Sequence, residues 1–268
     1  MKITDQPELI LPEQVENSSF DYLAFLGSLP KFEKRFESDV AMISADAPAY
    51  YFNAAFHARF NGNVEQRIKQ VKEYFSERGR SFFVWQVTPS SQPVNLSEQI
   101  QQHGGELLES LPYMALLLHD LCRDFPVSSN FHCETVRTHE MLGAWTSIYG
   151  RARGYSESDN RLFDIFSDMD LTESSPLQLI LGYLDHAPVA TYSVFMGKKA
   201  AGLYSLSTLP EARGNGIGTA MSIAAADLAI AYNYTTAMLL SEHMSRNLCK
   251  RLGFVEGFGA MDIYRIPV

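Results

Sequence analysis

The sequence predicts a mixed α/β protein made of two similar halves, and three observations carry that prediction. Runs rich in aromatic and β-branched residues, such as 81–87, 113–119 and 177–184, are interleaved with runs that repeat every 3.6 residues. A glycine-rich loop, Arg213 to Thr219, joins a strand to a long helix on which Ile217, Met221, Ala224, Leu228 and Ala231 share one face. The halves also end alike: a helix leads to a strand, a short helix, glycine and a final strand, over 64–119 and again over 217–266.

Taken in order, residues 1–46 mix apolar clusters (Phe20, Tyr22, Leu23, Phe25, Leu26) with the charged run Lys31 to Asp39, which predicts helices. The aromatic stretch 48–53 reads as a strand. Val64, Ile68, Val71 and Phe75 define an amphipathic helix over 64–77, closed by Gly79. A strand at 81–87 precedes a helix over 96–103 that Gly104-Gly105 stops, and a strand follows at 113–119. The polar run 125–130 is a linker, so the domains are expected at 1–125 and 126–268. Beyond it come a strand at 131–136, a helix over 139–151, a polar loop at 153–159 and a helix over 160–169. Strands at 177–184 and 188–195 meet at Asp185-His186-Ala187, and the strand from Ala201 stops before Pro210, which cannot donate to a ladder. After the long helix to Tyr232 come a strand at 237–241, a helix over 244–252 and a last strand within 258–266.

Composition narrows the function. In 268 residues, 46% hydrophobic content is enough for a substantial core, and no apolar run approaches the roughly 20 residues of a membrane span. The first residues lack the order of a signal peptide, and the spacing of Cys122, Cys133 and Cys249 suits neither a disulfide framework nor a metal site. A cytoplasmic protein with no membrane partner is expected. A formal charge of -9 argues against nucleic-acid binding and suits a cationic amine. The histidines form no metal-ligand spacing, and His132 and Cys133, adjacent on a strand, face opposite ways, so no metal is expected.

Spacing sorts the phosphate loops that residues 213–219 could be. A Walker loop needs Gly-Lys-Ser/Thr, and this one ends Gly218-Thr219. A dinucleotide fingerprint needs a third glycine at position 219 and an acidic residue about 20 positions on, and neither is present. Arg213-x-x-Gly216-x-Gly218 resembles instead the acyl-CoA pyrophosphate loop of the GNAT N-acetyltransferases. Leu239-Leu240-Ser241-Glu242 and Leu248 to Phe254, ending Leu-Gly-Phe, resemble that superfamily's fifth strand and following helix. The resemblance covers 131–268, about half the chain. It implies tandem GNAT-like folds, each a twisted mixed sheet flanked by helices. The run Phe82 to Leu96 resembles the N-terminal half of some bacterial GNAT proteins. Its loop Arg59-Phe-Asn-Gly62-Asn-Val64 resembles a worn copy of the motif, with a branched side chain where backbone should approach pyrophosphate.

The resemblance also implies a site. Arg213, Gly214, Asn215, Gly216, Ile217, Gly218 and Thr219 would hold the pyrophosphate of acetyl-CoA, the cosubstrate. The backbone of Leu206, Ser207 and Thr208 would pair with the pantetheine arm. Many family members place an acid tyrosine four residues before the glycine of Leu-Gly-Phe. Here Cys249 stands there, either as thiol donor or as a buried hydrophobe. Tyr204 is a candidate base or water-positioning group, beside Tyr192, Tyr155, Glu157 and Glu242, while Glu211 reads as solvated. The expected function is acetyl-CoA-dependent N-acyl transfer to an amine of a small molecule or peptide. The rival is a non-catalytic acyl-CoA sensor, motivated by Cys249 and the unidentified base. The N-terminal half would border the acceptor site, or serve only the fold or a homodimer.

Overall fold

The computed structural model describes residues 10–156 and 159–268. All of its strands join one eleven-stranded sheet. The first half supplies α1 (Pro12–Leu26), β1 (Glu33–Phe36), β2 (Ala41–Ser44), β3 (Ala54–Phe56), α2 (Val64–Ser76), β4 (Phe82–Val87), α3 (Leu96–Gln102) and β5 (Glu106–Leu117). The second supplies β6 (Phe131–Thr135), α4 (His139–Ala152), α5 (Arg161–Phe166), β7 (Leu177–Leu184), β8 (Ala187–Met196) and β9 (Ala201–Thr208). It continues with α6 (Ile217–Ala231), β10 (Thr236–Leu240), α7 (Arg246–Leu252) and β11 (Val255–Pro267).

The strand order β1-β2-β3-β4-β11-β5-β10-β9-β8-β7-β6 shows that the halves exchange their last strands. β5 lies between β10 and β11, and β11 pairs with β4 on its other side, with Tyr264 opposite Trp85. All three pairings between the halves are antiparallel; among the described strands only β3–β4 and β9–β10 run parallel. Helices cover both faces. α1, α4 and α5 close one core over the centre of the sheet, around Trp145, Phe52 and Tyr113. α6 and α7 close a second around Met221 and Leu252, and α2 and α3 a third around Phe75 and Trp85.

The expected helices and the strands of the second half stand close to where periodicity puts them; the first half departs in three places. The hairpin β1–β2 falls where helices are expected, because β1 is a fully exposed, charged edge strand with no alternation to read. The aromatic run 48–53 is a 3-10 turn at Tyr50–Phe52 rather than a strand. Asn53 draws the chain inward there, accepting from Ser44 Oγ at 2.7 Å and donating to the Ala45 carbonyl at 3.1 Å, and tertiary bonding overrides propensity. β5 and β11 extend beyond their expected starts. Pro112 interrupts the ladder, and opposite it β11 loops out through Gly257 (φ 126°) and Gly259 (φ 82°). Among the described residues no helix is long and apolar enough to cross a membrane.

Candidate active site

The glycine loop forms an open anion cradle. After a 3-10 turn at Pro210–Ala212, Gly214 (φ 84°) and Gly216 (φ 73°) take left-handed conformations that open α6. The first helical bond across this end runs from Ala220 N–H to the Gly216 carbonyl at 3.1 Å. The N–H groups of Ile217, Gly218 and Thr219 are therefore free of helical partners at the positive end of a 15-residue helix with no acidic residue in its first turn. Asn215 Nδ2 donates to the Ala212 carbonyl at 3.1 Å and fixes the loop. Arg213 donates through Nε to the Thr208 carbonyl at 3.0 Å, so the loop's cation is tied to the end of β9. The missing Cβ of Gly218 faces Leu248 Cδ2 at 3.4 Å, which lets α7 pack against this turn.

Next to the loop the sheet splits. The β9–β10 ladder consists of Ala201↔Ala237 and Gly202↔Met238 and then ends, so β9 from Leu203 to Thr208 has an unpaired edge. On its other edge β9 bulges against β8: Thr191 pairs with Ser207 and Ser193 with Tyr204, and Ser205 takes φ 60°. Thr191 Oγ1 donates to the Ser205 carbonyl and Ser193 Oγ to the Tyr204 carbonyl, both at 3.0 Å. Both carbonyls thus turn toward β8. In trans peptides the N–H groups of Ser205 and Leu206 must then both point the opposite way, into the split. Two consecutive backbone donors thus face the split. Trp145 Nε1 donates to the Tyr192 carbonyl at 3.1 Å, satisfying the strand opposite the bulge. Leu206 lines the split, Ser207 is buried in the ladder, and Thr208 receives Arg213.

A cavity of about 210 Å³ opens onto the bulge and is walled by both halves. Tyrosines dominate it: Tyr22 from α1, Tyr50 and Tyr51 from the 3-10 turn, Tyr149 from α4, and Tyr155. The Tyr51 and Tyr149 hydroxyls share a short hydrogen bond. Ser205 lines the same cavity as Tyr22 and Tyr149. Burial holds the Tyr149 phenol above the usual range, opposed by the Arg153 guanidinium beside it. Burial, then Tyr149, pushes Tyr155 up to about 12.

The remaining catalytic candidates are placed as follows. Glu242 stands two residues beyond the end of β10 and is ion-paired with Arg153 at 2.8 Å. Tyr204 stacks on Tyr22 at 4.1 Å and directs its hydroxyl to Met238 Sδ at 3.4 Å, and burial raises its pKa. Tyr192 is buried in the cavity wall, with its pKa raised by burial and then by Cys249. Cys249 is 4% exposed, also on the wall, and burial pushes its thiol up to about 11. Glu211 is exposed and bonds Arg151, and Glu157 lies outside the described residues. The bulge at Ser205 and the tyrosine wall are not announced by any spacing in the sequence, since they depend on contacts between the two halves.

The corresponding loop of the first half is closed. Asn63 caps α2, its Oδ1 accepting from Gln66 N–H at 3.0 Å, so a side chain holds the position that an anion takes elsewhere. The segment after β4 fills the equivalent split. Gln92 donates to the Ala58 carbonyl at 3.0 Å and accepts from Phe60 N–H at 3.1 Å, bridging Arg59 as a strand would. The buried Glu16 carboxylate pins this plug by accepting from Thr88 Oγ1 at 2.5 Å and from Ser90.

A split parallel pair, a bulge with paired donors and a glycine loop at a helix N-terminus thus lie side by side in the second half of the chain. Residues 140–254 match the acetyltransferase (GNAT) family model. No curated protein matches in sequence. Among solved structures, a GCN5-related N-acetyltransferase from Kribbella flavida is 17% identical with a TM-score of 0.72, over 97% of each chain. One from Sphaerobacter thermophilus is 14% identical with a TM-score of 0.62, over 96% of this chain and 94% of that one. A tandem GNAT protein from the clavulanic acid biosynthesis pathway is 12% identical with a TM-score of 0.60, over 94% and 95%. At these identities the likeness is one of fold.

Proposed function

We propose that the protein is an N-acetyltransferase that moves the acetyl group of acetyl-CoA to an amine of a small molecule or peptide. The observation that carries this reading is the alignment of the glycine loop with the split at β9–β10 and the paired N–H groups of Ser205 and Leu206. Pyrophosphate at 213–219 lays the pantetheine arm along the free edge of β9, and the thioester carbonyl meets the two donors. The amine enters from the tyrosine cavity. Its nitrogen forms a bond to the carbonyl carbon as the carbon–sulfur bond breaks, and the electron pair leaves with sulfur.

The proton has a route through the Tyr149–Tyr51 pair, where each phenol gives up one proton as it accepts another, ending at solvent. Glu242 is held by Arg153 and Tyr204 turns its hydroxyl to Met238, which supports a relay over a single strong base. Cys249 suits the acid role poorly. A thiol near 11 would have to protonate a thiolate whose own pKa is about 8.5, an uphill transfer, so CoA departs as thiolate. That same burial favours the rival reading, a non-catalytic acyl-CoA sensor. Thiol release across a broad amine panel separates them: steady turnover on at least one amine is expected. Tight CoA binding without turnover on any would leave the sensor.

We also propose that only the second half, 126–268, takes the cofactor, and that 1–125 is a degenerate copy. The support is the Asn63 cap and the plug at 88–92, which occupy both the anion position and the strand edge.

A further inference from the structure

The first half gives the cavity a chemistry of its own at the end away from the bulge. Gln86 on β4, Ile263 on β11 and Glu109 on β5 stand in one row across the sheet. Gln86 and Ser19 are 4% and 2% exposed, both line the cavity, and among the described residues neither Gln86 Oε1 nor Ser19 Oγ has a hydrogen-bond partner. Glu109 has no ion pair among the described residues and accepts only the Tyr50 hydroxyl, at 3.3 Å. Among the described residues the one cation on the wall, Arg153, is matched by Glu242. The unpartnered groups at this end can therefore all accept hydrogen bonds, and they carry one uncompensated negative charge between tyrosine rings. Such surroundings suit an ammonium group, which only donates and is attracted to aromatic faces.

Strand register gives the spacing. Gly202 of β9 lies level with Met238, which pairs with Ala115, so the bulge at Leu206 lies level with Leu111, two residues short of Glu109. One side-chain repeat of about 6.8 Å along β5 and two strand spacings of about 4.8 Å across, from β9 over β10 to β5, put Glu109 roughly 12 Å from the bulge. An acceptor that reaches both ends carries a second cationic group a short chain away from the reacting nitrogen.

We infer that this cavity is built for an aliphatic diamine or polyamine, with one amine at the Ser205–Leu206 bulge and its distal ammonium between Glu109, Gln86 and Ser19. This rests on the acyltransfer reading of the split. Matched ligands on the full-length chain test it: 1,4-diaminobutane and spermidine against butylamine, by calorimetry with saturating CoA and by thiol release with acetyl-CoA. The diamines should bind at least about tenfold more tightly than butylamine, and Glu109→Gln should bring that ratio close to one. Glu109 is exposed on its strand, so the variant keeps the fold. Turnover of butylamine with no diamine preference would overturn the inference and leave acyl transfer standing. Diamine binding that depends on Glu109 without turnover of any amine would support the ligand class and remove the enzymatic reading. Equal affinities that Glu109→Gln does not change would overturn the inference whatever the turnover.

Discussion

At the scale of single residues, the glycine loop separates a requirement of backbone from one of charge. Gly216 sits at φ 73° with the Pro126 carbonyl 3.1 Å from where a Cβ would stand. A valine there costs about 1–3 kcal/mol of strain and crowds the donors that face pyrophosphate. Gly216→Val should lower CoA affinity at least about a hundredfold, while Arg213→Ala, with the backbone donors intact, should lower it only about tenfold. Calorimetry showing unchanged affinity for Gly216→Val would refute the cofactor site. Cys249→Ala should leave kcat within about threefold. Its thiol near 11 stays protonated through pH 8–9, so no loss of activity there comes from its ionisation. The same burial makes a stability statement. The folded pKa is raised above its ordinary 9, so the stabilisation holds below about 9 and is lost as pH rises toward 11. The loop's conformation was legible in the sequence because it is local: three glycines, an arginine and a helix start. The catalytic neighbourhood was not, because Cys249, Tyr149, Tyr51 and Ser205 acquire their meaning from burial and from one another across long chain separations.

At the scale of elements, the bulge in β9 is held by side chains of its neighbour. Removing the hydroxyl that Thr191 gives to the Ser205 carbonyl leaves a part-buried acceptor unpaired, at a cost of about 1 kcal/mol. Thr191→Val should therefore lower the melting temperature. It should also lower kcat more than it raises KM for acetyl-CoA, because the Leu206 N–H is aimed by the same peptide. An unchanged kcat would show that the bulge donors do not touch the reacting carbonyl. Gly202→Ala acts on the same strand through packing. Its Cβ would stand 2.5 Å from the Tyr204 ring, which folds back over Gly202 to stack on Tyr22. Helices such as α2 and α6 and strands such as β7 and β8 were legible because each buries one clear face or is apolar throughout. β1 and the 3-10 turn at Tyr50–Phe52 were not. One is an edge with no buried face, and the other follows hydrogen bonds made by Asn53 rather than its aromatic content.

At the scale of the whole molecule, the likeness of the two halves was readable from their element order, but the exchange of their last strands was not. β5 and β11 each pair across the boundary at 125/126, and nothing in either strand's own pattern says which half it completes. The consequence is that neither half owns a closed sheet. A chain of 126–268 alone would leave β10 without β5 and β11 without either neighbour. It would also strip the cavity of its Tyr22, Tyr50 and Glu109 walls. Exposed edges of that length favour aggregation over folding. Residues 126–268 expressed alone should therefore show no cooperative melting. Co-expressed as separate chains, 1–125 and 126–268 should co-purify as a one-to-one pair and bind CoA with a stoichiometry of one, since the 88–92 plug stays within the first chain. Size-exclusion chromatography and calorimetry read both quantities. A soluble 126–268 that turns over the same amine with undiminished kcat/KM would show that the exchanged strand and the first-half wall are dispensable. Two equivalent CoA sites would show that the plug does not close the first half.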